Sequence, residues 1–153
     1  MPKITLWEKL FNFFGWIFFF AGVDQFSKYF LLKSNLNPVS FKKFFWLFSL
    51  QEPVCNVGIA WGIEIKKWLF FFLWSAAFAL VVWQYQKTKN FFLLLVLAGA
   101  ISNLLDRFLR GCVVDFIKIG SFPAFNFADL LISSGCFLFL FFHFIKTNPY
   151  QSK

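Results

Sequence analysis

Two aspartates late in the chain carry its strongest chemical signal. Asp115 lies in "GCVVDF" and Asp129 in "FPAFNFADLL", with thirteen residues between them. Two carboxylates brought close cannot both ionise readily, so one keeps a proton and the pair supplies an acid and a base from one residue type. The ionised member takes a proton from a positioned water as it attacks a peptide carbonyl, while the protonated member polarises that carbonyl or serves the leaving amine. This is the chemistry of aspartic proteases. Such a pair titrates as a unit, so the proton belongs to both residues rather than to either one.

Other polar residues cluster around this pair in sequence. "DQFSK" sets Asp24 and Lys28 four apart on one helical face, as an ion pair or as part of a substrate site. "GAISNLLDR" sets Gly99, Asn103, Asp106 and Arg107 on roughly one face. Gly99 permits close helix approach there, and Asn103 and Asp106 suit hydrogen bonds across a helix interface. Asp106 beside Arg107 also reads as a local salt bridge. Asn126 suits a helix N-cap, and Asp129 falls in the first turn, where the helix dipole favours a carboxylate. Capping accounts for Asn126 and Asp129 but leaves Asp115 unexplained.

The elements that must position these groups are apolar. The chain of 153 residues is 59% hydrophobic and 14% charged and contains 28 Phe. Its mean hydropathy is +0.67. That exceeds what one soluble core of this size hides, so lipid is the expected solvent for much of the surface. Four runs approach the roughly 20 apolar residues that cross a bilayer: approximately 10–32, 68–85, 91–109 and 125–145. The expected fold is therefore an all-α membrane protein, a four-helix transmembrane bundle in a single domain over 1–153. Lysines at 3 and 9 before the first run resemble a signal peptide, but the run continues through Asp24 and Lys28 without a small-residue cleavage site, so a retained span is expected.

All four aspartates fall inside or at the edge of these runs. A charge at mid-bilayer costs about 2.5–3.5 kcal/mol on insertion scales, so such residues face the bundle interior or water and mark function. Gln84–Asn90 reads as a tight turn, whereas 33–67 is long, with Pro38, Pro53, Gly58 and Gly62 around the strand-like "FFWLFSL". A small extramembrane β-element is expected within it. Gly111 should end the third helix, Val113–Phe116 should be a short extended piece delivering Asp115, and Pro123 should precede the fourth helix.

The net charge of +8 comes from Lys and Arg in the gaps between apolar runs, with no continuous basic stripe. Anionic lipid headgroups are the expected partner, and nucleic acid is not. Basic residues occur on both sides, so the excess that marks cytoplasmic loops leaves the orientation open. Cys55, Cys112 and Cys136 have no metal-ligand spacing and read as structural, Cys136 as a small hydrophobe in an apolar run. His143 in "LFFHFIK" lacks nearby partners for base or metal chemistry. No phosphate-binding glycine loop and no Gly-x-Ser-x-Gly elbow occurs, so neither metal nor cofactor is expected.

Five ordered segments, "DQFSK", "NVGIAWG", "GAISNLLDR", "VVDF" and "PAFNFAD", resemble lipoprotein signal peptidase, the type II signal peptidase of bacteria. The resemblance runs from the first span to the fourth. It implies a four-helix membrane bundle with an extracytoplasmic β-cradle, in the bacterial cytoplasmic (inner) membrane, with both termini cytoplasmic. It implies a prolipoprotein substrate carrying diacylglycerol on a cysteine, cut just before that cysteine, and inhibition by globomycin. The catalytic pair would be Asp115 and Asp129. Supporting residues would be Asp24, Lys28, Asn56, Gly58, Ala60, Gly99, Asn103, Asp106, Arg107, Asn126 and Ala128. Gly58 and Ala60 would let the substrate backbone approach closely, with Trp61 as an interfacial anchor or lid. Three departures accompany the likeness: Cys55 stands where many relatives carry Arg, Ser102 where Gly is frequent, and the link from Asp115 to Asp129 is short.

Two other classes compete on the residues alone. A small transporter would use Asp24, Lys28, Asp106 and Arg107 as an ion relay spread through the bilayer depth. A non-catalytic bundle would tolerate replacement of Asp115.

Overall fold

All four apolar runs are helices in the computed structural model, which describes residues 5–33, 48–59, 63 and 65–147. They are α1 (Leu6–Lys33), α2 (Lys67–Thr88), α3 (Phe91–Arg110) and α4 (Phe127–Thr147). Each agrees with its expected span to within a few residues. α2, α3 and α4 are long and apolar enough to cross a membrane; the run of α1 is interrupted by Asp24 and Lys28.

The helix ends follow local chemistry. Asn90 caps α3 by accepting the Phe92 amide at 2.9 Å. Gly111, at φ +78°, ends α3 with its N–H on the Arg107 carbonyl at 3.2 Å. The turn expected over Gln84–Asn90 is narrower than that, because α2 continues through Thr88 and only Lys89 and Asn90 connect it to α3.

α3 is the centre of the bundle, with α1, α2 and α4 packed around it. It buries Leu93, Leu94, Val96, Leu97, Ala98, Gly99, Ser102 and Asp106, whereas α2 buries no residue. α3 and α4 approach each other backbone to backbone at two glycines. A Cβ on Gly135 would lie 2.7 Å from the Phe92 carbonyl, and one on Gly99 would meet the Ala128 carbonyl and stand 2.8 Å from Ile132. The outward faces carry Phe11, Phe18, Phe72, Phe108, Leu109, Phe137 and Phe144, all exposed. An apolar surface this continuous requires a lipid environment.

One end of the bundle carries a two-stranded antiparallel sheet, β1 (Phe48–Asn56) and β2 (Val113–Ile119). Of the strand-like "FFWLFSL", residues 44–47 lie outside the described residues. The strand runs on past Pro53, which sits in a register irregularity between Leu50 and Val54, where a missing N–H is tolerated. Beyond it, Val54 pairs with Asp115, Cys55 with Val114 and Asn56 with Val113. β2 extends further than Val113–Phe116, and Ile117 bridges Phe125, bringing the chain back beside Asp115 just before α4. Phe116, Ile117 and Phe125 pack together against Leu31 of α1. Cys55 and Cys112 form a disulfide with Cα atoms 5.5 Å apart. Cys136 is exposed on α4.

Candidate active site

Asp115 owes its position to strand geometry and Asp129 to helix capping. Val54 lies opposite Asp115, so Asn56, two residues along β1, projects on the same face. Asn56 donates from Nδ2 to Asp115 Oδ2 at 3.0 Å. Asn126 donates to Asp115 Oδ1 at 2.7 Å and, through its second Nδ2 hydrogen, to Asn103 Oδ1 at 3.2 Å. Asn103 in turn donates to Asp129 Oδ1 at 2.8 Å. Asn126 and Asp129 also cap α4 reciprocally: the Asp129 amide donates to Asn126 Oδ1 at 3.0 Å, and the Asn126 amide to Asp129 Oδ2 at 3.2 Å. Asp129 therefore caps its helix and faces the cavity at once.

Asp115 and Asp129 both line a cavity of about 670 Å³, together with Asn56, Asn103 and Arg107. Phe70, Trp74, Phe122 and Ile132 contribute apolar walls. Asp115 is 2% exposed. Burial raises its pKa to about 6 from 3.8, opposed by the Asn56 hydrogen bond, reinforced by the Asp129 charge, and opposed again by Asn126 and Lys28. A carboxyl at about 6 exchanges a proton near neutral pH, as general acid–base work requires.

Behind the cavity wall lies a closed ion cluster. Lys28 Nζ is 2.6 Å from Asp24, 2.7 Å from Asp106 and 3.3 Å from Asn103 Oδ1, which uses all three ammonium hydrogens. Arg110 pairs with Asp106 on the next turn of α3. Lys28, Asp24 and Asp106 are fully buried, and two acids facing two bases leave no net charge. Asp24 also accepts the Ala128 amide at 2.9 Å and the Ser102 hydroxyl at 2.7 Å. Asp106 accepts the Val114 amide at 3.2 Å, one residue before Asp115. Among the described residues, every buried side-chain nitrogen and oxygen has a partner.

The expected salt bridge between Asp106 and Arg107 does not form. Consecutive helical positions point about 100° apart, and Arg107 turns toward the end of β1. It donates to the carbonyls of Gly58 at 2.5 Å and Val57 at 3.3 Å and lies 4.4 Å over the Phe70 ring. Gly58 thus has its carbonyl on Arg107 and its amide on Asn56 Oδ1 at 3.0 Å. Ala60 and Trp61 lie outside the described residues.

Sequence reasoning missed Gln25, Arg110 and the role of Ser102. Gln25 donates to Asp106 at 2.9 Å and to Ser102 Oγ at 3.0 Å and accepts from Arg110 at 3.0 Å. The four-residue step from Asp106 to Arg110 was a readable signal for that ion pair.

Residues 16–145 match the family model described as signal peptidase (SPase) II. The chain belongs to the signal peptidase II family. Proteins named lipoprotein signal peptidase are similar over most of its length. That of Chlamydia felis is 33% identical over 86% of this chain and 91% of its own. That of Thermodesulfovibrio yellowstonii is 36% identical over 82% and 89%, and that of Caldanaerobacter subterraneus 37% over 78% and 87%. Two solved structures described as bacterial membrane enzymes share the fold. One superposes with a TM-score of 0.79 at 28% identity, covering 100% of this chain and 98% of the other. The second gives 0.74 at 30%, covering 90% and 94%. As a signal peptidase II, the chain is a proteolytic hydrolase, and its long apolar helices make it a membrane protein.

Proposed function

We propose that this chain is an aspartyl endopeptidase that removes signal peptides from prolipoproteins bearing a diacylglyceryl-modified cysteine, cutting just before that cysteine. Asp115 and Asp129 activate the water. The observation that carries this reading is the amide relay Asn56–Asp115–Asn126–Asn103–Asp129, whose two aspartates, Asn56 and Asn103 line one cavity while Asn126, fully buried, joins them. Each carboxylate accepts amide hydrogens on one side and keeps lone pairs for a water and a substrate carbonyl on the other. The proton on the pair polarises the carbonyl, the ionised carboxylate takes the proton of the attacking water, and the protonated member then serves the departing amine. The substrate class is supported by the relatives named lipoprotein signal peptidase.

Four helices form a single membrane domain over residues 1–153 in this reading, with α1 as the fourth span. At about 1.5 Å per residue its length suffices to cross, and its two mid-helix charges neutralise each other inside the bundle. The sheet faces outward from the bacterial cytoplasmic membrane and both termini lie in the cytoplasm. The Cys55–Cys112 disulfide supports that orientation independently of charge, because disulfides persist in oxidising compartments. Acyl chains reaching the cavity sideways from surrounding lipid add about 0.8 kcal/mol per buried CH₂. Globomycin would compete by occupying the aspartate pair. An ion relay is disfavoured, since Asp24, Lys28 and Asp106 satisfy one another behind the cavity.

The test is cleavage of a lipidated precursor by purified protein in detergent, followed as a gel shift. Asp115→Asn and Asp129→Asn should each abolish the shift while the proteins remain folded. Turnover by either variant sinks the pair.

A further inference from the structure

We infer that the Cys55–Cys112 disulfide is a positioning device that makes this peptidase redox-dependent, because it holds Asn56 against Asp115. The inference rests on the aspartyl-peptidase reading. Cys55 immediately precedes Asn56, and Cys112 lies three residues before Asp115, so the crosslink joins the two strand ends whose side chains meet at 3.0 Å. Among the described residues, little else fixes that end of the sheet. A sheet of two strands is marginal alone in water, and the pairs Val54–Asp115, Cys55–Val114 and Asn56–Val113 are separated from the rest of the ladder by the irregularity at Pro53. β2 is anchored independently, by Asp106 on the Val114 amide and by Phe125 on Ile117. β1 depends on the crosslink and on Arg107 gripping Val57 and Gly58.

Cys55 is exposed while Cys112 is buried, so an outside thiol reaches the bond at Cys55 Sγ. Attack there releases Cys112 as a thiol, and a second thiol restores Cys55, so two reductant thiols become a disulfide as two chain thiols form. The reverse exchange with a disulfide-bearing thiol oxidant outside the cytoplasm completes the newly inserted enzyme. Until then Asn56 is free to swing from Asp115, which loses one of its two side-chain amide donors.

The test uses the full chain in detergent with a lipidated precursor, before and after a phosphine reductant, with opening of the bond verified by the mass of alkylated thiols. Reduction should lower kcat about tenfold or more with KM little changed. The Cys55→Ser/Cys112→Ser variant should show the lower rate without reductant and ignore it, and Cys136→Ser should behave as the parent. In Asn56→Ala, reduction should cost about twofold or less, because both changes remove the same contact. Full turnover by the reduced chain alkylated at both Cys55 and Cys112, beyond the free Cys136, overturns the inference, as does an equal loss in Asn56→Ala and the parent. An oxidised parent that never cleaves defeats the peptidase reading instead. Amide exchange at 54–56 and 113–116 then decides the redox coupling: faster exchange on reduction supports it, and unchanged exchange overturns it.

Discussion

Asp24 of α1 accepts the backbone N–H of Ala128 in the first turn of α4 at 2.9 Å, a link across 104 residues. The same carboxylate holds Lys28 and Ser102. One buried acid thus ties α1, α3 and the helix that carries Asp129.

Replacing Asp24 by Ala leaves Lys28 in the interior with Asp106 as its one remaining acid beside the neutral Asn103, while Asp106 already serves Arg110. Breaking a buried pair from one side costs about 3–5 kcal/mol. Asp24→Ala should therefore lower the thermal midpoint sharply in detergent, and Asp24→Asn, which retains an acceptor for Ala128, should lose less. Scanning fluorimetry of the parent and the two variants separates the outcomes; midpoints equal to the parent's would deny the ion pair its structural part.

Asn126 bridges Asp115 to Asn103 and caps α4. Asn126→Ala should reduce kcat by about 10²–10⁴, the range of positioned acid–base catalysis, and cost about 1 kcal/mol of stability through the lost cap. Steady-state kinetics beside a melting curve distinguishes this from simple unfolding.

Asp115 gives the fold a pH signature. Its pKa in the folded chain is about 6, against 3.8 for an ordinary carboxyl. The folded chain therefore holds this proton more tightly than the unfolded chain. The stabilisation is complete below 3.8 and is lost as pH rises through about 6. Asp115→Asn should flatten the fall in thermal midpoint between about pH 4 and 7. An unaltered profile would mean that Asp115 titrates normally.

The two glycine contacts between α3 and α4 should respond differently. Gly99→Ala drives a methyl into the Ala128 carbonyl, beside Asp129, while Gly135→Ala strikes the Phe92 carbonyl elsewhere along the interface. Overpacking of this kind costs about 1–3 kcal/mol. Both variants should melt earlier, but only Gly99→Ala should lose turnover out of proportion to its stability.

Much of this site was legible because it is local. Gly111, Asn126 and the first-turn position of Asp129 follow from capping chemistry, and the apolar run lengths set the helices. The pairing of Cys55 with Cys112 was not legible, since a register between strands 57 residues apart decides it. The same holds for the pairing of Asp106 with Lys28, which packing of α1 against α3 decides, whereas its other partner, Arg110, stands at the readable four-residue step. Cys55, which looked like a missing arginine, is the visible half of a feature whose other half lies beyond two helices.

α2 buries no residue of its own, yet Phe70 and Trp74 on it close one side of the cavity. Of the four helices it has the least packing to forfeit when displaced. For the lipid-modified substrate proposed above, diffusing in the plane of the bilayer, the least-held barrier is therefore α2, a side door hung on α3, while the polar cluster between α1, α3 and α4 stays shut.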